Sequence, residues 1–227
     1  MTEKATRPPR RGAFIVLEGI DGCGSTTQSK RLVEALCARG RDARHTCEPT
    51  AGPVGALIRS VLEKRLLDPS GAPRAFRWST LALLFAADRL DHLDTEVLPA
   101  LAAGAVVVSD RYDLSSLAYQ SVTASAERDV LPWIRELNRE AVRPDLTLVI
   151  DVPFEEARAR RIARGGPEEL FDADRLQRRL AEAYARAEEL VPGDRIEHVS
   201  GVGSVDVVHQ RVLESVFRAL PWLTDAS

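Results

Sequence analysis

Nine consecutive residues, Gly19-Ile20-Asp21-Gly22-Cys23-Gly24-Ser25-Thr26-Thr27, carry the spacing of a phosphate-binding loop. The pattern is G-x-x-x-x-G-K-[ST]: backbone N–H groups cradle the phosphates, the lysine reaches the outer phosphate oxygens, and the hydroxyl binds magnesium. Gly19, Gly24 and Thr26 stand at the required offsets, but Ser25 occupies the lysine position. The loop predicts a nucleoside triphosphate ligand. Its missing cation means that charge on a transferring phosphoryl must be met from elsewhere, and a lid arginine is the better candidate than Lys30, which would point away from the phosphates.

Two further segments suit an acceptor. Phe85 and Arg89 lie one helical turn apart, so they share a face. A ring and a guanidinium so placed could stack on a nucleobase and donate to its carbonyl edge; a core phenylalanine beside an ion pair is the plainer alternative. In Ser109-Asp110-Arg111-Tyr112, Asp110 ends a strand near the loop and could hold magnesium through water. Arg111 suits a bidentate grip on an acceptor phosphate. A capping aspartate with a structural arginine is the alternative there. Arg158, Arg160, Arg161 and Arg164 precede Gly165–Phe171, and Arg175, Arg178 and Arg179 follow it. That reads either as a solvated basic face or as a flap closing arginines over phosphates.

The elements that must position these residues alternate. Apolar runs predict buried strands at 14–17, 43–47, 105–109, 146–150 and 196–199. Helical patterns occupy 26–39, 54–66, 78–98, 128–141, 154–164, 174–190 and 205–220. Such alternation implies an α/β fold, a mostly parallel sheet covered on both faces, with ligands at the carboxyl ends of its strands. The 227 residues suit one domain over 13–220, with a lid at about 154–172 and tails at 1–12 and 221–227. A net charge of −3 provides no basic field for nucleic acid or an anionic membrane. No apolar stretch is long enough to span a bilayer, and Glu18 interrupts the first one too early for a signal peptide. Three cysteines without metal-ligand spacing fit a reducing cytoplasm.

Together these residues resemble the thymidylate kinase family, P-loop nucleoside monophosphate kinases that phosphorylate dTMP. The resemblance runs from about Phe14 to Tyr184. It rests on Glu18-Gly19-Ile20-Asp21-Gly22, Phe85-Ala86-Ala87-Asp88-Arg89, Asp110-Arg111-Tyr112 followed by Ser115-x-x-Ala118-Tyr119-Gln120, and Pro144-Asp145-Leu146-Thr147. The resemblance implies a three-layer P-loop fold with a five-stranded parallel sheet and a short arginine-rich lid. It implies ATP as co-substrate, Mg2+ as cofactor, small-molecule nucleotide partners and a homodimer, for which Leu81 and Leu84 are spare apolar positions. By the same resemblance Asp21 contacts the acceptor 3′-hydroxyl, Phe85 stacks on thymine and Arg89 bonds its carbonyl edge. Arg111 holds the acceptor phosphate, Glu48, Ser116 and Gln120 line the acceptor site, and Tyr119 lies under the sugar. Residues 19–27 bind ATP, with Gly22, Gly24, Ser25 and Thr27 donating through the backbone; Thr26 and Asp110 serve the metal. Arg161 and Arg164 are the lid residues expected at the phosphates.

Besides Ser25, one position departs from the family pattern. Cys47 stands where many members carry an arginine before Glu-Pro, which leaves Arg111 to carry the acceptor phosphate. Two rivals to a dTMP kinase stay open at this level: a nucleotide kinase with another acceptor, and a catalytically silent nucleotide-binding protein.

Overall fold

A computed structural model describes residues 12–124, 129–165 and 169–224. The tail expected at 1–12 lies outside the described residues except for Gly12. Strands β1 (Ala13–Glu18), β2 (Ala43–Cys47), β3 (Val106–Asp110), β4 (Leu146–Asp151) and β5 (Ile196–Ser200) form one sheet in the order β2-β3-β1-β4-β5. Every pairing is parallel. The helices are α1 (Ser25–Ala38), α2 (Pro53–Leu62), α3 (Trp78–His92), α4 (Leu98–Ala102), α5 (Asp113–Thr123), α6 (Leu131–Leu137), α7 (Phe154–Arg164), α8 (Asp174–Tyr184), α9 (Ala187–Leu190) and α10 (Val205–Ala219).

The sheet is buried on both faces because β1 is apolar at nearly every position. Ala13, Ile15 and Leu17 point into the cluster that holds Leu32 and Leu36 of α1 and Val212 and Val216 of α10. Phe14 and Val16 point the other way, against Leu93, Val97 and Ala100. Side-chain alternation along one strand thus fills two cores, and the helices over them make three layers.

Several elements end sooner than their apolar periodicity suggests. The helix expected over 78–98 passes through a π-helical turn, Leu93–Val97, before α4, and a wider turn is a common interruption in a long helix. The pattern over 174–190 breaks between α8 and α9 at Ala185 and Arg186. Residues 221–223, assigned by sequence to a tail, form a 3-10 turn whose Leu223 is fully buried. Leu81 is buried in the core, and Leu83 beside it is exposed. Among the described residues no helix is long and apolar enough to cross a membrane.

Candidate active site

The register of the sheet sets the site. Leu17 of β1 and Cys47 of β2 both pair with Asp110 of β3, so three strand ends lie side by side at one edge. The phosphate loop leaves β1 there and enters α1 at Ser25, whose side chain is buried. Gly22 has φ 91°, and a Cβ on it would stand 2.4 Å from the Ala157 carbonyl oxygen of α7. Only glycine fits between loop and helix at that point. Thr26 donates its hydroxyl to Asp110 Oδ2, while the buried Asp110 Oδ1 has no partner among the described residues. A hydroxyl beside a carboxylate with one oxygen unspent suits Mg2+, which takes few protein ligands and completes its shell with phosphate and water. A cavity of about 520 Å3 opens over the loop, bounded by residues 20–28, Arg111, Arg160, Arg164 and, across from α7, Gly203, Ser204, Val205 and Val208.

Arg111 sits between this cavity and a second one. Its backbone is left-handed (φ 73°), a strained conformation for a non-glycine residue, costing about 1–3 kcal/mol. Its N–H bonds to Leu17 O (2.9 Å), and Ser109 Oγ donates to its carbonyl (2.7 Å). The guanidinium donates to Asp21 Oδ1 (2.5 Å), to Gly19 O (3.1 Å), and to the hydroxyls of Ser115 and Tyr184 (3.2 Å each). Burial works against its charge, but the oxygens of Tyr119, Asp21, Tyr184 and Glu18 outweigh that and hold its pKa well above the ordinary value. Burial pushes Tyr119 far up, so it stays a phenol and donates to Asp21 Oδ2 (3.0 Å).

The second cavity, about 180 Å3, is lined by Asp21, Glu48, Arg59, Phe85, Arg89, Arg111, Ser116, Tyr119, Gln120 and Phe171, among others. At its floor Arg89 is almost fully buried and ion-paired with Glu48 (2.6 Å). Arg89 also donates to Asn138, to Tyr112 O and to Ser116 Oγ (3.1 Å each for the last two). Glu48 is shared with the buried His92 (3.2 Å). Three buried atoms of residues lining this cavity have no partner among the described residues: Arg89 Nε, a donor, Gln120 Oε1, an acceptor, and the Tyr112 hydroxyl. Leaving such groups unmet in a protein interior costs about 1–3 kcal/mol each, which makes them candidates for a ligand.

The arginine-rich segment divides its labour. Arg158 pairs with Asp174 (2.7 Å), and Arg178 pairs with Glu155 (2.8 Å) over the Phe154 ring, so these stitch α7 to α8. Arg161 donates to the Asp21 carbonyl (3.1 Å) and lies 3.6 Å from Asp174. Arg160 reaches the Cys23 carbonyl (3.3 Å) and Gly201 O (2.9 Å), and with Arg164 it lines the loop cavity. Beyond α7, Phe171 packs its ring on Tyr119 (5.1 Å between centroids), and Leu170 N–H bonds to Leu62 O across the second cavity. Residues 166–168 of the expected lid lie outside the described residues.

The thymidylate kinase family model matches residues 17–212. The chain is 41% identical over 207 residues to a probable thymidylate kinase of Pyrococcus abyssi, covering 91% of this chain and 96% of that protein. It is 36% identical over 217 residues to a thymidylate kinase of Alkalilimnicola ehrlichii, covering 94% and 97%. The chain belongs to the thymidylate kinase family.

Seen as a thymidylate kinase family member, the chain brings together at the sheet edge most of the residues its motifs singled out. Asp21, Arg111 and Tyr119 form one hydrogen-bonded group, Glu48, Arg89 and Ser116 another, and Thr26 and Asp110 a third. Arg111 is not the lone arginine of the second cavity. Arg59 of α2 lines it too and donates to Pro49 O beside Cys47, whose thiol burial keeps protonated. Sequence reasoning missed Arg59 and Gln177, named Arg160 only as one of the flap arginines, and met Glu18 only as the start of the loop motif. Fully buried Gln177 donates to Asp21 Oδ2 (2.7 Å) and to Phe171 O (3.0 Å), tying the segment after α7 to the phosphate loop. Glu18 is fully buried and accepts from Tyr112 N, Ser115 N, Ser115 Oγ and Tyr184 OH. Burial nonetheless pushes its pKa up to about 7, against the pull of Arg111 and of the bonds from the Ser115 hydroxyl, Tyr112 N–H and Tyr184 hydroxyl.

Proposed function

We propose that this chain transfers the γ-phosphoryl group of ATP to dTMP, giving dTDP and ADP. The observation that carries the reading is that Arg89 Nε and Gln120 Oε1, two of the unmet buried groups of the second cavity, are a donor and an acceptor. Thymine offers an N3–H donor for Gln120 Oε1 and a carbonyl acceptor for Arg89 Nε, with Phe85 beside them to stack. Cytosine lacks the N3–H and presents an amino group where the carbonyl would be, so it mismatches both.

The acceptor phosphate then lies towards Arg111 and Arg59, and its oxygen attacks the γ-phosphorus in line as the bond to the β–γ bridging oxygen breaks. That oxygen is already anionic, so no general base is required. Asp21 and Tyr119 hold the deoxyribose, Tyr119 crowding a 2′-hydroxyl. The backbone N–H groups of residues 19–27 cradle the ATP phosphates, and the helix α1 N-terminus favours their charge. Thr26 and Asp110 would hold magnesium, which would supply neutralisation of phosphate charge there. Arg164 offers the positive charge that Ser25 cannot, with Arg160, paired to Glu156 (2.5 Å), beside it, and Val205 with Gly203 walls the nucleoside end of the loop cavity. The same reading includes a cytoplasmic homodimer with exposed Leu83 at its interface. Ser25 is the observation that favours the rival, a nucleotide-binding protein without turnover.

The test is acceptor discrimination by kcat/KM with Mg-ATP. dTMP should lead, dUMP should follow closely because it keeps both polar edges, and dCMP should fall by at least about 100-fold, as for two mismatched buried hydrogen bonds. Equal use of dCMP and dTMP would sink the assignment of the base edge.

A further inference from the structure

Glu18 has no place in the proposed chemistry, yet it is among the most heavily bonded carboxyl groups described. It ends β1, is fully buried, and takes four hydrogen bonds. Two come from the backbone N–H groups of Tyr112 and Ser115 (2.8 and 3.1 Å), at the start of α5 immediately after Arg111. The other two come from hydroxyls, Ser115 Oγ (2.6 Å) and Tyr184 OH (3.0 Å), both onto Oε2. Those same two hydroxyl oxygens accept from Arg111 Nη1 at 3.2 Å.

The direction of these bonds matters. A hydroxyl has one hydrogen, and it can donate to only one neighbour at a time. Ser115 Oγ and Tyr184 OH also lie 2.9 Å apart, so their two hydrogens serve Glu18 Oε2 and this mutual bond, and in either arrangement lone pairs of both oxygens face Arg111, which can only donate. A neutral amide at position 18 would donate its own N–H to these hydroxyls and turn their hydrogens towards the guanidinium. Glu18 therefore fixes the polarity of the chain that aims Arg111, and through the two backbone bonds it also holds the strained turn at Arg111.

We infer that Glu18 is a positioning residue: it orients Ser115 and Tyr184 as paired acceptors for Arg111, and so sets the affinity for the phosphate of the acceptor nucleotide. The inference rests on the reading that Arg111 grips that phosphate. The charged and titratable groups facing this cluster are Arg111 from the turn after β3, Asp21 from the phosphate loop, Tyr119 from α5 and Tyr184 from α8.

The experiment is equilibrium binding of dTMP and of thymidine, by calorimetry at pH 8, to wild type, Glu18→Gln and Tyr184→Phe. Thymidine keeps the base and sugar but lacks the phosphate. For Glu18→Gln, dTMP affinity should fall roughly tenfold, the scale of one misaligned charged hydrogen bond, while thymidine affinity stays within twofold. Tyr184→Phe, a milder change that keeps the ring packing, should weaken dTMP by about threefold and leave thymidine alone. The double variant should do no worse than Glu18→Gln, since both act through one chain. Equal losses for both ligands would mark a role confined to fold integrity and overturn the inference, as would unchanged dTMP binding. If wild type binds neither ligand, the acceptor assignment itself falls, and the role of Glu18 with it.

Discussion

Glu18 also makes a prediction about stability, because two large effects oppose each other at one carboxyl group. Burial disfavours its charge; Arg111 and the bonds from Ser115, Tyr112 and Tyr184 favour it. Burial wins, raising the pKa from 4.5 to about 7. A folded-state pKa above the unfolded one means that the native protein holds this proton more tightly. The resulting stability is fully present below pH 4.5 and is lost as pH rises through 7. At about 1.4 kcal/mol per pKa unit, the loss amounts to about 3 kcal/mol. Glu18→Gln cannot titrate there, so subtracting its stability from that of wild type cancels the other carboxylates. Urea unfolding of both proteins at pH 4.5, 6, 7 and 8 measures the difference. It should shift against wild type by about 3 kcal/mol between the ends of that range, most steeply between pH 5 and 7. A flat difference, or one that moves in favour of wild type as pH rises, would mean that the Arg111 attraction dominates and that the reasoning from desolvation is wrong.

Other consequences concern the loop, the floor of the acceptor cavity, the lid and the metal. Gly22→Ala forces a Cβ against the Ala157 carbonyl at a positive φ, and should cost about 1–3 kcal/mol in urea unfolding together with most of the ATP affinity by calorimetry. Arg89→Met leaves Glu48 buried without its cation and should destabilise by about 3–5 kcal/mol, whereas losing only base recognition would leave the unfolding midpoint unmoved. Gln177→Ala cuts the tie from Phe171 to Asp21; amide exchange should quicken over residues 169–173 and not in β1. Chelation of divalent ions should abolish turnover, Mg2+ should restore it, and Thr26→Ala should raise the Mg2+ needed for half-maximal rate severalfold.

The phosphate loop and the acceptor motifs were legible in sequence because each is a local string with its own flanking strand and helix. Phe85 and Arg89 announce a shared face by spacing alone, and Asp110-Arg111-Tyr112 announces a strand end. The strand ladder followed from runs such as 14–17, apolar on both faces. What sequence did not yield depends on distant partners. Glu18 meets Tyr184 across 166 positions, and Gln177 meets Asp21 across 156; neither has a neighbour in sequence that betrays the contact. In sequence Glu18 was only the end of an apolar run and the first residue of the loop motif. Arg59 sits on a helix whose periodicity says which face is buried but not that its arginine bends over a cavity. Arginines at 160, 161 and 164 share one string, and only the packing of α7 on Gly22 sorts their carbonyl partners and the cavity they line.

A thymidylate kinase family member with Ser25 in place of the loop lysine should still turn over. The most direct measurement mixes purified wild type with Mg-ATP and dTMP and follows both nucleotides by 31P NMR. dTDP and ADP should appear in equal amounts with repeated turnover. If calorimetry shows both ATP and dTMP bound while no dTDP forms, the site binds without catalysing, and the chain is a nucleotide-binding protein rather than a kinase.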